Sequence, residues 1–115
     1  MPDHIHLLMT LAKDDRDFSS RIKEIKRKTT ESLRIIKENP RLTVWQKRFW
    51  EHTIRDQSDF QYSFDYIHYN PIKHGYSDTF DWEYSSYWQY YGKEEGDSPE
   101  IDPTTFQDGR YSYGE

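Results

Sequence analysis

The chain has 115 residues, 33% of them apolar and 32% charged, which allows one small domain and excludes a multidomain enzyme. It contains no cysteine, which excludes disulfides, thiolate nucleophiles and zinc fingers, and it has no apolar run long enough for a membrane span or signal peptide, so we expect a cytoplasmic protein without a membrane partner. The net charge of −5 is uneven: residues 13–55 hold 13 Lys/Arg against 7 Asp/Glu, whereas residues 56–115 hold 3 against 13.

The first predicted element is a strand at the beginning of the chain. Residues 4–9 alternate at first and then become continuously apolar, which is typical of a buried strand. Because side chains two residues apart in a strand leave the same face, His4 and His6 would converge while Ile5 points into the core. The residues alone leave two interpretations open: a pair of surface histidines, or part of a metal site.

A helix is predicted next. Asp17 or Ser19 is suited to be its N-cap, and the helix should end before Pro40, because a residue that precedes proline is pushed out of helical geometry. The residues at helical spacing are Ile22, Ile25, Thr29, Leu33 and Ile36.

Residues 42–54 are rich in β-branched and aromatic side chains, which predicts one or two short strands. Asp56 or Ser58 then caps a second helix, which should end near Asn70 because a proline follows. Gly75 is suited to be a left-handed stop after one further turn. The apolar stripe of this helix consists of Phe60, Phe64 and Ile67.

The C-terminal part of the chain changes in composition. Residues 76–91 contain 8 aromatic residues, and residues 92–115 are acidic and rich in Gly, Pro, Ser and Asp. We therefore expect a domain over residues 1–91 and a largely disordered tail over residues 92–115.

Tyr66 and Asn70 lie four residues apart in the second predicted helix, so they share one face beside the apolar stripe. A deprotonated phenol is a nucleophile, and a carboxamide oxygen can complete the ligand set of a divalent metal. Alternatively, Tyr66 is one of ten tyrosines and packs with its hydroxyl in water. The residues alone do not decide between the two.

Four separated segments carry a family resemblance. They are MPDHIHLL at residues 1–8, WQKRFWEHTIRD at residues 45–56, DYIHYNPIKHG at residues 65–75, and Trp82 with SSY at residues 85–87. In this order the segments resemble the REP-associated tyrosine transposases, a family of the single-tyrosine HUH superfamily.

The resemblance implies a role for each candidate. His4 and His6 match the histidines of the HUH motif, and together with Asn70 they would hold Mg²⁺ or Mn²⁺. Tyr66 matches the nucleophile, which attacks a phosphate of single-stranded DNA and leaves a 5′-phosphotyrosine link and a free 3′-hydroxyl. The implied function is strand cleavage and transfer at hairpin-forming REP elements, and the implied fold is α+β, a ferredoxin-like βαββαβ sheet.

The basic middle of the chain has two interpretations. Its Lys and Arg residues either coat a solvated helix face or follow a DNA backbone, and its tryptophans either build the core or stack on unpaired bases. The candidates for DNA binding are Arg21, Lys23, Lys26, Arg27, Lys28, Lys47, Arg48, Trp45 and Trp50.

The chain departs from the family pattern at its beginning. Members usually have a strand, a helix and a second strand before the histidine strand, and here these are missing. We expect a start codon assigned too late, a decayed gene, or an assembly in which another chain supplies the strands, and we favour the first two.

Other functions and assemblies stay open. If the chain has no catalytic activity, it would be a truncated module that binds single-stranded nucleic acid. A small acidic interaction domain with surface histidines is a third interpretation. A homodimer is also compatible with the sequence, because relatives differ in whether the tyrosine works with histidines of its own chain or of a partner.

Overall fold

The computed structural model describes residues 1–91 and 101–106, which divide into two compact units. Residues 1–8, 52–91 and 101–106 belong to one unit, here termed the tyrosine unit; residues 9–51 form the other, termed the basic unit. The helices are α1 (Phe18–Ile36), α2 (Gln57–Lys73), α3 (Tyr87–Tyr90) and a 3₁₀ turn (Pro103–Phe106).

Helix α1 begins and ends as the sequence predicts. The Asp17 side chain accepts a hydrogen bond from the Ser20 backbone N–H at 3.1 Å and so acts as the N-cap. The helix ends at Ile36, ahead of the proline predicted to stop it. The Arg34 side chain then donates to the Leu42 carbonyl oxygen at 3.0 Å, which ties the following segment to the last turn.

Helix α2 begins as predicted but ends later. Its N-cap is Asp56, which accepts from the Asp59 N–H at 2.8 Å. The predicted end near Asn70 is wrong, because Pro71 lies inside the helix and α2 continues to Lys73. Gly75, with a φ of 72°, provides the predicted left-handed stop.

The predicted strands over residues 4–9 and 42–54 do not form: residues 1–91 and 101–106 contain no strand. A strand is stabilised by hydrogen bonds to a neighbouring strand, and neither segment is paired in this way in the described residues. Ile5 is 51% exposed instead of pointing into a core. The ferredoxin-like βαββαβ arrangement is therefore not seen here.

His68 is buried in the tyrosine unit and is not a surface residue. Its side chain is 1% exposed, and its Nε2 lies 2.9 Å from the Ser86 hydroxyl oxygen. The rings of Phe64 and Tyr91 pack against it, with centroid distances of 4.5 and 5.8 Å. Aliphatic residues are few in this part of the chain, and aromatic and imidazole rings provide the packing in their place.

Lowering the pH is expected to destabilise the tyrosine unit through His68. Burial holds the pKa of this imidazole below its ordinary value of 6.5. Between the two pKa values the unfolded chain binds a proton that the folded chain excludes, so the free energy of unfolding falls as the pH decreases through and below 6.5. Denaturant unfolding over this range should show a shallower fall in the His68→Gln variant. An identical pH dependence in both proteins would contradict this account.

The C-terminal segment is described over residues 101–106 alone. The predicted disorder of residues 92–115 otherwise lies outside the described residues. Within residues 101–106, Phe106 packs against α2, with ring centroids 5.2 Å from both Tyr62 and Tyr69. None of the helices in the described residues is both long and apolar enough to cross a membrane.

Candidate active site

The most buried face of α2 is polar. Asp59, Ser63, Tyr66 and Asn70 follow one another at spacings of four, three and four residues, and each is at most 6% exposed. The predicted apolar stripe is less buried, with Phe60 37% exposed. Because burying polar groups costs free energy unless they are partnered, a helix of this kind indicates a site more than a packing surface.

The beginning of the chain lies against this face. His4 Nε2 is 3.0 Å from the Asn70 side-chain oxygen, and the His6 ring meets the Tyr66 ring edge-on, with centroids 5.5 Å apart. The His4 and His6 rings are 5.3 Å apart. The two histidines, the tyrosine and the asparagine singled out in the sequence therefore come together within one unit of one chain.

His4 is flanked by oxygen atoms at both ring nitrogens. Nδ1 lies 2.6 Å from an Asp3 carboxylate oxygen, and the hydrogen bond to His4 is the main reason why the pKa of Asp3 is lowered. A neutral imidazole carries one N–H, and a carboxylate at Nδ1 favours placing it there, so Nε2 presents a lone pair towards Asn70. A lone pair on a ring nitrogen is the group with which a histidine binds a metal ion.

The donor set fits a divalent cation. Two imidazoles with a carboxamide oxygen suit Mn²⁺ better than Mg²⁺, which prefers oxygen ligands alone. Within residues 1–91 and 101–106, no group of three or more His, Cys, Asp or Glu side chains is arranged to hold a metal. Asn70, whose side-chain oxygen lies 3.0 Å from His4 Nε2, is the neighbouring oxygen donor that could complete a ligand set with His4 and His6.

Two further residues of the site were not singled out as site residues from the sequence. Lys73 donates a hydrogen bond from Nζ to the Tyr66 hydroxyl oxygen at 2.9 Å, and the exposed His74 ring lies 4.6 Å from the His4 ring. A weak signal for Lys73 exists, since residues seven apart return to the same helix face after two turns. Neither the residue type of His74 nor its position in the helical repeat predicts its contact with His4.

In the basic unit, several predicted DNA-binding residues are engaged with acids. Arg21 pairs with Asp15 at 2.5 Å, and Arg27 pairs with Glu24 and Glu31 at 2.6 and 2.5 Å. The guanidinium of Arg27 holds the pKa of Glu24 at about 2. The third residue with an acidic neighbour is Lys28, whose Nζ lies 3.7 Å from a Glu24 oxygen.

Lys26 and Trp45 serve the packing of the basic unit. Lys26 Nζ donates to the Gln46 carbonyl oxygen at 2.9 Å and lies 6.0 Å from the Trp45 ring centroid and 5.7 Å from that of Phe49. Trp45 is half-buried. These contacts favour the interpretation that both residues build the unit.

Four of the predicted DNA-binding residues are exposed and lie outside the contacts just described. Lys23, Lys47 and Arg48 have no acidic partner in the part of the chain that the structure describes, and Trp50 is 72% exposed. Exposed cations and exposed aromatic rings are the two kinds of side chain that surfaces binding single-stranded DNA combine.

Comparison with known proteins gives three similarities. The family model described as "Transposase IS200 like" matches residues 1–70. A protein of Haemophilus influenzae assigned as a REP-associated tyrosine transposase is 40% identical over 88% of this chain, and the REP-associated tyrosine transposase of Escherichia coli K12 is 41% identical over 76% of it. A solved structure of a REP-associated tyrosine transposase bound to a REP hairpin matches 80% of this chain, with a TM-score of 0.61 and 32% identity.

The chain is shorter than these relatives. It spans 65% of the Haemophilus influenzae protein, 50% of the Escherichia coli protein and 60% of the chain in the solved structure. The family match includes four residues of the site described above, His4, His6, Tyr66 and Asn70, which all lie within residues 1–70.

Proposed function

Because the chain belongs to the IS200-like transposase family, we propose that it is a metal-dependent transposase of the tyrosine HUH type that cleaves and rejoins single-stranded DNA. The observation that carries the proposal is the meeting of His4 and His6 with Tyr66 and Asn70 in one unit. REP-type hairpins are the proposed substrate, because the similar proteins are REP-associated and the similar solved structure contains a REP hairpin. A DNA substrate places the proposed activity in the cytoplasm.

In the proposed reaction, Tyr66 is the nucleophile. Its hydroxyl oxygen attacks a phosphorus atom of the DNA, the new tyrosine–phosphorus bond forms, and the bond from phosphorus to the 3′-oxygen breaks. The product carries a 5′-phosphotyrosine link and a free 3′-hydroxyl. Because the phosphodiester is exchanged for another ester, the reverse step can rejoin strands without a nucleotide cofactor.

His4, His6 and Asn70 are the proposed ligands of Mn²⁺ or Mg²⁺. When bound, the cation supplies positive charge that offsets the charge developing on the non-bridging phosphate oxygens. Three neutral ligands leave the charge of the ion undiminished, which a set of carboxylates would not. The Asp3 carboxylate orients the His4 ring from the opposite nitrogen, a common second partner of metal-bound histidines.

We propose that the site is completed within one chain. The imidazole of His6 and the phenol of Tyr66 are already in ring contact, so no histidine from a partner is needed to bring these groups together. A homodimer is compatible with this arrangement but is not required by it.

The α+β fold is part of the proposal. Residues 4–9 have the alternating and apolar pattern of a strand, and Ile5, Leu7, Leu8 and Met9 are 36–51% exposed, so this segment offers an apolar edge for pairing. We propose that it forms the histidine strand of a ferredoxin-like sheet when a pairing strand is present.

The experiment that tests the proposed function is a covalent capture assay. The protein is incubated with Mn²⁺ and an end-labelled single-stranded hairpin oligonucleotide, and the products are separated under denaturing conditions. A labelled band that migrates with the protein and depends on Mn²⁺ is the expected result. Cleavage without a protein-linked label would contradict the proposed tyrosine chemistry.

A second candidate function is favoured by one observation: the described residues form no sheet beside the site. The chain would then be a module that binds single-stranded nucleic acid without turnover. In the same assay this module would retain the oligonucleotide under native conditions and form no covalent product.

Removing the indole of Trp50 is expected to weaken DNA binding. Stacking of one base on an aromatic ring contributes about 1–3 kcal/mol, so Trp50→Ala should raise the Kd for an unpaired oligonucleotide by about 5- to 150-fold. Fluorescence anisotropy with a labelled oligonucleotide at fixed salt concentration measures the change.

Ile35→Ala provides the matched control for Trp50→Ala. Ile35 is 78% exposed and lies in the same unit, but it has no ring on which a base can stack. Its loss should leave the Kd unchanged. Equal effects of both substitutions would show that Trp50 does not stack on DNA.

A further inference from the structure

Lys73 makes a close contact with the oxygen of Tyr66. Its Nζ donates to the Tyr66 hydroxyl at 2.9 Å and lies 4.9 Å from the centroid of the same ring. The hydroxyl belongs to a residue that is 3% exposed, whereas Lys73 is exposed. A cation therefore reaches from the solvent side of the helix end to a buried phenol oxygen.

The course of α2 makes this contact feasible. Lys73 is the last residue of the helix, which continues through Pro71 and stops before Gly75. Seven residues separate Lys73 from Tyr66, so both side chains lie on one face and the long lysine side chain can bridge two turns. Had α2 ended at Asn70, as the sequence predicts, Lys73 would not belong to this face.

We propose that Lys73 is a further catalytic residue, whose ammonium group holds the Tyr66 oxygen and offsets the negative charge that this oxygen carries during attack and departure. The inference rests on the proposed role of Tyr66 as the nucleophile. It adds a second source of positive charge, which acts on the tyrosine oxygen while the metal would act on the phosphate.

Lysine acts here by charge and not as a base. An ammonium group has three donors and no acceptor, so it cannot take the phenol proton while it donates to the phenol oxygen. In the forward step the phenol proton passes to water, the tyrosine–phosphorus bond forms, the bond to the 3′-oxygen breaks and that oxygen takes a proton from water. Lys73 keeps its proton throughout, and the same contact stabilises the tyrosine oxygen when it departs in the reverse step.

Titratable groups from more than one element lie beside the phenol. They include His6 from the N-terminal segment, Tyr62 on α2 with its ring centroid 6.4 Å from that of Tyr66, and Lys73 itself; the segment over residues 101–106 contributes the uncharged ring of Phe106 at 5.5 Å. Of these, Lys73 is the group whose ammonium donates a hydrogen bond to the phenol oxygen. The test therefore examines charge on the oxygen directly and does not rely on a pH profile.

The first part of the test compares Lys73→Met and Lys73→Arg under single-turnover conditions with saturating hairpin oligonucleotide and Mn²⁺. Loss of a charged hydrogen bond to the reacting oxygen should slow adduct formation about 10- to 100-fold in Lys73→Met, whereas Lys73→Arg keeps most of the rate. Lys13→Met, which removes an exposed lysine of the basic unit, is the matched control and should keep the full rate. An unchanged rate in Lys73→Met would overturn the proposal.

The second part of the test separates charge stabilisation from a structural role. Site-specific replacement of Tyr66 by a difluorotyrosine yields a more acidic phenol, whose oxygen carries negative charge more readily. The defect of Lys73→Met should shrink at least about threefold in this background, which a packing or folding defect would not do. An equal defect with both phenols would overturn the proposal.

Failure of this inference is distinguishable from failure of the proposed function. If Tyr66 is not the nucleophile, Tyr66→Phe still forms the adduct and fluorination changes no rate in any background. If Tyr66 is the nucleophile and Lys73 merely stabilises the helix end, Tyr66→Phe is inactive while Lys73→Met reacts like the Lys13→Met control. Thermal unfolding of each variant verifies that the compared proteins are folded.

Discussion

Replacing Tyr66 with phenylalanine is expected to abolish the covalent protein–DNA adduct, with a loss of at least about 1,000-fold. The substitution removes the oxygen that forms the bond to phosphorus, while the ring keeps its packing against His6 and Phe106. DNA binding should remain close to that of the unsubstituted protein. The adduct is quantified on denaturing gels and the binding by fluorescence anisotropy.

Two neighbouring tyrosines provide the controls. Tyr62 and Tyr69 lie on the same helix and both pack on Phe106, but neither has the spacing of four residues that places Tyr66 on one face with Asn70. Tyr62→Phe and Tyr69→Phe should therefore still form adduct. Full adduct formation by Tyr66→Phe would contradict the proposal that Tyr66 is the nucleophile, whatever the result for Tyr62→Phe and Tyr69→Phe.

Removing the imidazoles is expected to have the second largest effect. His4→Ala and His6→Ala each delete one of three proposed metal ligands, so Mn²⁺-dependent adduct formation should fall by more than about 100-fold. Calorimetric titration with Mn²⁺ should show binding to the unsubstituted protein and none to the double variant. An unchanged Mn²⁺ requirement in these variants would contradict the proposed ligand set.

Two controls sharpen the interpretation of the histidine variants. Asp3→Asn keeps the His4 side chain but weakens the carboxylate that orients it, so a smaller loss of about 10-fold in Mn²⁺ affinity is expected. Mixing His6→Ala with Tyr66→Phe should restore no adduct if each chain completes its own site. Restoration by mixing would show that a homodimer shares the site between chains.

The parts of the fold that the sequence predicts well are those decided by neighbouring residues. Asp17 and Asp56 cap helices because a carboxylate can accept from the N–H three residues later. Gly75 stops α2 because it adopts a positive φ without steric cost. Each of these choices depends on a few residues in a row, and local sequence is sufficient to determine them.

The failures concern interactions between distant residues. A strand over residues 4–9 needs a neighbour that the local pattern does not provide, and the described residues contain none. His68 is buried because Ser86 and several rings from a later segment cover it, which a helical spacing of apolar residues does not reveal. The end of α2 depends on whether the turn after Pro71 is helical, and in this structure it is helical up to Lys73.

The sequence identifies four residues of the candidate site but does not predict how they are arranged. The spacing of Tyr66 and Asn70 places them on one helix face, and His4 and His6 attract attention as a pair, but their meeting depends on how the N-terminal segment lies against α2. Lys73 and His74 enter the site through the reach of their side chains. Residue spacing does not predict such contacts, and they are identified from the coordinates.

The most direct measurement of the central claim is the identification of the amino acid that carries DNA in the covalent product. After reaction with the hairpin oligonucleotide and nuclease trimming, tryptic digestion should give the peptide of residues 56–73, which contains Tyr62, Tyr66 and Tyr69. Fragment-ion mass spectrometry should place the nucleotide on Tyr66. A nucleotide on Tyr62, on Tyr69 or on any residue outside this peptide would contradict the assignment of the site.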